Sequence, residues 1–81
     1  MEQIKSMFSS KIYDLRKHHN LTQEQASEKL DTSPRGFQKW EGGNTLPDFI
    51  HILHLAYILN FDVYAFAEEV FSNGLLQTPK G

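Results

Sequence analysis

The sequence predicts an all-α domain of five short helices that pack as a compact orthogonal bundle. Apolar residues recur at three- and four-residue steps, which is the period of one helical face. Residues that commonly begin or end helices separate these apolar segments. No segment alternates apolar and polar residues over a useful length, and connections as short as these require neighbouring helices to pack on each other.

The first two helices are placed by apolar spacing and by a capping signal. In chain order, we expect the five helices at about residues 6–18, 22–30, 33–40, 47–59 and 63–71. Phe8, Ile12 and Leu15 define the inner face of the first helix. Thr22, with Gln25 three positions later, forms a capping box in which each side chain bonds a backbone N–H of the other residue.

The later helices carry boundary signals of the same kind. Ser33 caps the third helix, and Pro34 occupies its first position, where the missing N–H costs nothing. The run Gly-Gly-Asn at residues 42–44 stops that helix, and Asp62 caps the fifth. We therefore expect a structured core over residues 6–71 and a flexible tail over residues 72–81.

The composition indicates one soluble domain. A chain of 81 residues, 40% of them hydrophobic, supports a single core and is too apolar for a disordered segment. It contains no cysteine, which excludes disulfides and thiolate metal sites. No apolar run approaches the ~20 residues that span a bilayer, so we expect a cytoplasmic protein with no membrane partner.

The charges are distributed unevenly along the chain. The formal net charge is −2, which by itself disfavours a nucleic-acid partner. Residues 1–40, however, hold seven basic and five acidic side chains, whereas residues 41–81 hold one basic and five acidic side chains. The basic half is the half that contains the second and third helices.

The second and third helices have the features of a helix-turn-helix. Asp31, Thr32 and the cap residue Ser33 join them, and Ala26 and Ser27 are small enough to stand where two helices cross. Asp31 tolerates a positive φ at the turn, and Phe37 can hold the third helix down on the core. The outward face of the third helix is then free to enter a major groove ~12 Å wide.

The chain resembles a known family, the phage-repressor/Cro (Xre-like) helix-turn-helix regulators. The resemblance covers about residues 12–66, and its strongest elements are Leu21-Thr22-Gln23-Glu24, Glu28-Lys29-Leu30, Ser33, Trp40-Glu41, Gly43, Pro47 and Leu55-Ala56 with Leu59. It implies a lambda-repressor-like fold. It also implies sequence-specific binding of double-stranded DNA by a transcriptional regulator, and we expect a repressor acting on a palindromic operator.

The resemblance also implies roles for individual residues. The positions that face the DNA bases are Pro34, Arg35, Gly36, Gln38 and Lys39. The positions that contact phosphates are Thr22, Gln23, Ser33, Asn44 and Thr45. Arg16 and Glu41 match a structural ion pair between the first helix and the end of the third.

The chemistry of the third helix agrees with the implied base contacts. Arg35 and Lys39 are four residues apart and therefore project from one face. Arginine can bond guanine O6 and N7 together, which contributes ~1–3 kcal/mol of discrimination. Gly36 allows a close approach of the backbone to DNA, although glycine inside a helix costs ~0.5–1 kcal/mol relative to alanine.

Catalysis and metal binding are not expected. His51 and His54 are three residues apart and can share a helical face, but a zinc site needs three or four ligands. No nucleophile, base and orienting group come together in the sequence. We therefore predict no enzyme activity, no metal and no cofactor.

The fourth and fifth helices carry more apolar residues than one buried face requires. If Phe49, Ile52, Leu55, Ala56 and Leu59 face the core, a second apolar set lies at or beyond its edge: Ile50, Leu53, Tyr57, Ile58 and Tyr64. Either the C-terminal tail covers this second set or a partner does, and we expect a homodimer. A two-fold dimer would place two recognition helices ~34 Å apart, in successive major grooves.

A second function stays open for the same fold. The chain can instead be an antitoxin or a protein-interaction adaptor whose main surface is the apolar one on the fourth and fifth helices. A protein partner would then replace DNA as the principal ligand.

Overall fold

Five α-helices and their short connections make up residues 2–78, the part of the chain that the computed structural model describes. The helices are α1 Glu2–His18, α2 Gln23–Lys29, α3 Pro34–Glu41, α4 Phe49–Leu59 and α5 Val63–Ser72. No strand occurs within residues 2–78. The Cα radius of gyration is 12.8 Å, close to the ~12 Å expected of a compact domain of this length. The predicted compact all-α domain of five helices is confirmed.

Side-chain caps fix the start of four helices. Thr22 and Gln25 form the predicted capping box at α2, and the Ser33 hydroxyl accepts a hydrogen bond from a backbone N–H at the start of α3. Asp48 and Asp62 do the same for α4 and α5. Each cap satisfies N–H groups that have no partner within the helix, so each of these helices begins directly after its cap residue. The start of α4, at Phe49, is two residues later than predicted.

The start of α1 was predicted too late. The helix begins at Glu2 rather than near Ser6. Ile4 is buried together with Phe8 and Ile12, so the inner face of α1 continues one turn earlier at the same four-residue spacing.

The core is formed by residues of α1 to α4 and of the segments that follow α2 and α4, and it is rich in aromatic rings. Its buried members are Phe8, Ile12, Ala26, Leu30, Phe37, Trp40, Leu55, Leu59 and Phe61. The rings of Phe8 and Phe61 meet edge to face with their centroids 5.5 Å apart, and those of Phe37 and Trp40 do so at 5.9 Å. Such pairs are favourable beyond the apolar area they bury.

Phe49 does not face the core as predicted, since 71% of its surface is exposed. The buried residues of α4 are Leu55 and Leu59, and Ile52 packs against them from the core side. Phe49 shares the opposite side of the helix with Leu53, four residues later.

The fifth helix ends one residue later than predicted. Ser72 is still helical, and the backbone N–H of Leu75 bonds the carbonyl of Val70 at 3.0 Å. Residues 79–81, the last part of the predicted tail, lie outside the described residues. Among helices α1 to α5, none is by itself both long enough and apolar enough to cross a bilayer. Helices α4 and α5 meet these two criteria only when taken together, and the chain bends by 115° between them.

Candidate nucleic-acid interface

The outer face of α3 is free of the rest of the protein. Pro34, Arg35, Gln38 and Lys39 are exposed, whereas Phe37 and Trp40 are buried on the opposite side. Within residues 2–78, no carboxylate lies within ion-pairing distance of either cation on this face. The structure therefore brings the predicted base-facing side chains together on one open surface.

Contacts with the turn before α3 favour a glycine at position 36. Its backbone N–H donates to the Ser33 hydroxyl at 3.0 Å, which is the N-cap bond of α3. A Cβ at this position would lie 2.9 Å from Thr32 Oγ1 and 3.2 Å from Ser33 Oγ. The contact that favours glycine is thus internal, so a close approach to DNA is not needed to explain it.

The first helix holds the end of α3 through an ion pair. Arg16 Nε and Nη2 donate to the two carboxylate oxygens of Glu41 at 2.6 and 3.2 Å, and both side chains are largely buried. Arg16 Nη1 also donates to the carbonyl of Leu21 at 2.9 Å. The hydrogen bonds to Glu41 raise the pKa of the Arg16 guanidinium, against the opposing effect of burial.

Gln23 is engaged within the protein. Its side-chain amide donates to Glu41 Oε1 at 2.8 Å. The amide nitrogen predicted to hold a phosphate therefore takes part in the same polar cluster as Arg16, and a phosphate would have to compete for it. Thr22 is exposed, but its hydroxyl accepts the N–H of Gln25 at 3.0 Å.

The loop after α3 folds back onto the end of that helix. The backbone N–H groups of Asn44 and Thr45 point to the carbonyl of Lys39 at 2.9 and 3.4 Å. Gly43 makes this reversal with φ of +75°. Asn44 and Thr45 are exposed, so the two predicted phosphate-contacting residues of the loop stand beside the C-terminal end of the α3 face.

The two histidines considered as a metal pair instead contact the turn between α2 and α3. His54 Nδ1 lies 3.1 Å from the carbonyl oxygen of Leu30, and His51 Nε2 lies 3.2 Å from that of Asp31. His51 Nδ1 also lies 2.6 Å from Asp48 Oδ1. No group of three side chains suited to a metal ion occurs over the described part of the chain.

This contact between α4 and the turn was not predicted from the sequence. The three-residue spacing of His51 and His54 was visible, but their partners are backbone carbonyls, which any residue carries. Only the packing of α4 against the turn reveals which carbonyls lie within reach.

The outer side of α4 forms an uncharged apolar surface. We call Phe49, Ile50, Leu53 and Tyr57 the α4 stripe; all four are exposed, Tyr57 to 90%. Tyr64, at the start of α5, is exposed as well. Ile58, which was predicted to lie at or beyond the edge of the core, lies at that edge: it is half-buried and packs against the core cluster.

Comparisons with protein-family models, with curated proteins and with solved structures found no match to this chain. The geometry of α3, its supports and the α4 stripe are accordingly the basis for an assignment of function.

Proposed function

We propose that this protein binds double-stranded DNA sequence-specifically as a transcriptional regulator, a repressor, with α3 in the major groove. The observation that carries the proposal is the open face of α3, where Arg35, Gln38 and Lys39 project together. An α-helix with its side chains is ~10–12 Å in diameter, which matches the ~12 Å width of the major groove. Arginine and lysine bond guanine edges, and glutamine bonds adenine, so these side chains can read base pairs.

The proposed motif is a helix-turn-helix formed by α2 and α3, as in the lambda-repressor-like fold. Ala26 is fully buried on the short helix α2, where a small residue lets two helices approach. Asp31 has φ of +55°, the conformation expected at the turn. Phe37 is fully buried beneath α3, so the opposite side of that helix is the side presented to DNA.

We further propose that the protein acts as a homodimer joined through the α4 stripe and Tyr64. The exposed parts of these five side chains amount to on the order of 700 Å², given typical side-chain areas. Each partner contributes ~800 Å² to a standard interface, so the surface is large enough to support a dimer. A two-fold dimer would match a palindromic operator.

A protein-interaction role, as an antitoxin or adaptor, is the second candidate. It is favoured by the α4 stripe itself, since an uncharged helix face with Tyr57 90% exposed is unusual on a monomer. In this case the partner would cover the stripe, and the face of α3 would be a solvated surface.

Selection of bound duplexes from a random DNA pool tests the first proposal. We expect a short palindromic consensus, because two α3 helices related by two-fold symmetry read two copies of one half-site. Titration of the selected duplex against a scrambled duplex should show tighter binding of the selected one, with an affinity that falls as salt rises. Failure to retain any duplex at low ionic strength would overturn the DNA-binding proposal.

A further inference from the structure

The turn between α2 and α3 leaves backbone carbonyls that α4 satisfies. The last carbonyls of a helix have no partner within it and need donors from elsewhere. His54 supplies a contact at 3.1 Å to the carbonyl of Leu30, and His51 supplies one at 3.2 Å to the carbonyl of Asp31. Leu30 and Asp31 are the two residues immediately before Thr32 and Ser33, which lead into α3.

The surroundings of His51 require a donor at each of its ring nitrogens. Nδ1 faces the Asp48 carboxylate at 2.6 Å, and Nε2 faces the carbonyl of Asp31. An ionised carboxylate and a carbonyl oxygen can only accept hydrogen bonds. A neutral imidazole carries one N–H, so both contacts are made together only by the imidazolium form.

We propose that proton uptake at His51 stabilises the conformation of the α2–α3 turn and thereby strengthens DNA binding by α3. This inference rests on the proposed function. His51 is a positioning residue in this scheme, since it acts on α3 through the carbonyl of Asp31 rather than by touching DNA.

Loss of the proton releases one contact selectively. The short bond to the Asp48 carboxylate is the stronger of the two and keeps the remaining proton on Nδ1. Nε2 then presents a lone pair to the carbonyl of Asp31, and the two acceptors repel each other. Asp31 is already in the left-handed region with φ of +55°, so its backbone depends on such contacts to hold that conformation.

Ionisable groups from two elements face the His51 ring. Asp48 lies at the start of the same helix and Asp31 belongs to the turn, and both carboxylates favour the charged imidazole. His54 is one turn along α4, with the two ring centroids 5.8 Å apart, and Trp40 of α3 contributes an uncharged ring whose centroid is 5.3 Å from that of His51. The hydrogen bond to Asp48 raises the pKa of His51 above its ordinary value, against a smaller opposing effect of burial.

The experiment measures three quantities on the full chain between pH 5.5 and 8.5. They are the His51 ring titration by NMR, the exchange protection of the Thr32 amide, and the affinity for the selected duplex. The Thr32 amide bonds the carbonyl of Ser27 at 3.0 Å within the turn, so it reports turn opening without DNA. We expect turn protection and affinity to fall together, the affinity by about fivefold, as His51 loses its proton.

Three variants separate the contact from other titrations. Asp48→Asn keeps a side chain that can cap α4 but removes the charge, so the pH at which protection and affinity fall should move down with the pKa of His51. His51→Gln should abolish the fall. His18→Gln removes an exposed histidine at the end of α1 and should behave as the wild type does.

The outcomes distinguish this inference from the DNA-binding proposal. If His51 titrates while the protection of the Thr32 amide stays constant, or if Asp48→Asn leaves the midpoint unmoved, the inference is overturned. If turn protection follows His51 but no duplex binds at any pH, the proposed function fails and the link to DNA fails with it, while the coupling of His51 to the turn stands.

Discussion

Arg16 and Glu41, which are 25 residues apart in the chain, join the last turn of α1 to the last residue of α3 through two hydrogen bonds. The carboxylate of Glu41 also accepts the side-chain amide of Gln23 at the start of α2. Three helices therefore meet at one carboxylate. Because α3 is only eight residues long, a fixed point at its last residue helps to set the direction of the whole helix.

Arg16→Ala should lower the free energy of unfolding by about 1.5–3 kcal/mol, because a largely buried carboxylate would lose its charged hydrogen-bond donor. Urea denaturation followed by circular dichroism measures this change. Lys11→Ala is the matched control, since the Lys11–Glu69 pair is also in direct contact, at 2.9 Å, but is nearly half exposed. We expect the control to cost less than ~1 kcal/mol. Equal losses in the two variants would show that burial of the Arg16–Glu41 pair is unimportant.

Arg35→Ala should weaken binding to the selected duplex by ~1–3 kcal/mol and leave binding to a scrambled duplex nearly unchanged. The reason is that a base contact is lost only where the preferred base is present. Fluorescence anisotropy titrations on the two duplexes provide the comparison, with the exposed Lys17→Ala on α1 as the control. An equal loss on both duplexes would assign Arg35 to a phosphate.

Alanine ordinarily adds ~0.5–1 kcal/mol to the free energy of unfolding when it replaces glycine inside a helix. Gly36→Ala should give little or none of this gain, because its Cβ would meet Thr32 Oγ1 at 2.9 Å. Removing that oxygen first should restore the gain. In a double-mutant cycle, we therefore expect Gly36→Ala to be clearly more favourable in a Thr32→Ala background than in the wild type. Additive free energies of unfolding would show that the contact with Thr32 does not restrict this position.

The parts of the structure that could be predicted from the sequence are those set by local chemistry. The Thr22 and Ser33 caps and the positive φ of Asp31 each follow from a few neighbouring residues, and all are present. The Arg16–Glu41 pair was expected only through the resemblance, since a contact over 25 residues leaves no local pattern.

Errors arose where the orientation of a helix depends on its neighbours. Phe49 was assigned to the core because it precedes Ile52 by three residues, yet Leu53 and Tyr57 also follow at helical spacing on the exposed side. An almost wholly apolar helix has no polar face to indicate which way it turns. The histidine contacts to the turn were missed for a related reason, because they depend on where α4 lies and on backbone groups.

Tyr57→Glu should convert a dimer to a monomer, because it would place a charge within the apolar interface proposed for the α4 stripe. Sedimentation velocity over a wide concentration range measures the association. Leu76→Glu is the control, since Leu76 is an exposed apolar residue beyond the end of α5. It should leave the association unchanged. A wild-type protein that stays monomeric at high concentration would exclude the dimer.

The stability of the fold should respond to pH at two separate limits through Asp48 and His51. The pKa of Asp48 in the folded protein is lowered, first by the backbone N–H of His51 and then by the His51 ring. The stability that Asp48 contributes is therefore present above the unfolded-state pKa of ~3.9 and is lost as the pH falls through the lower folded-state pKa. The pKa of His51 is raised by Asp48, so its contribution is fully present below ~6.5 and is lost as pH rises through the higher folded value.

Denaturation midpoints from pH 2.5 to 9 should therefore show a plateau between these limits. Asp48→Asn should reduce the change of the midpoint with pH at both the acid and the alkaline limit, because it removes the ionisable carboxylate and also the charged partner of His51. His51→Gln should reduce chiefly the change at the alkaline limit. His18→Gln again serves as the control, since it removes an exposed histidine on a different helix. Were the alkaline slope to survive in His51→Gln, another group would have to be its source, and the contact between Asp48 and His51 would lose its role in stability.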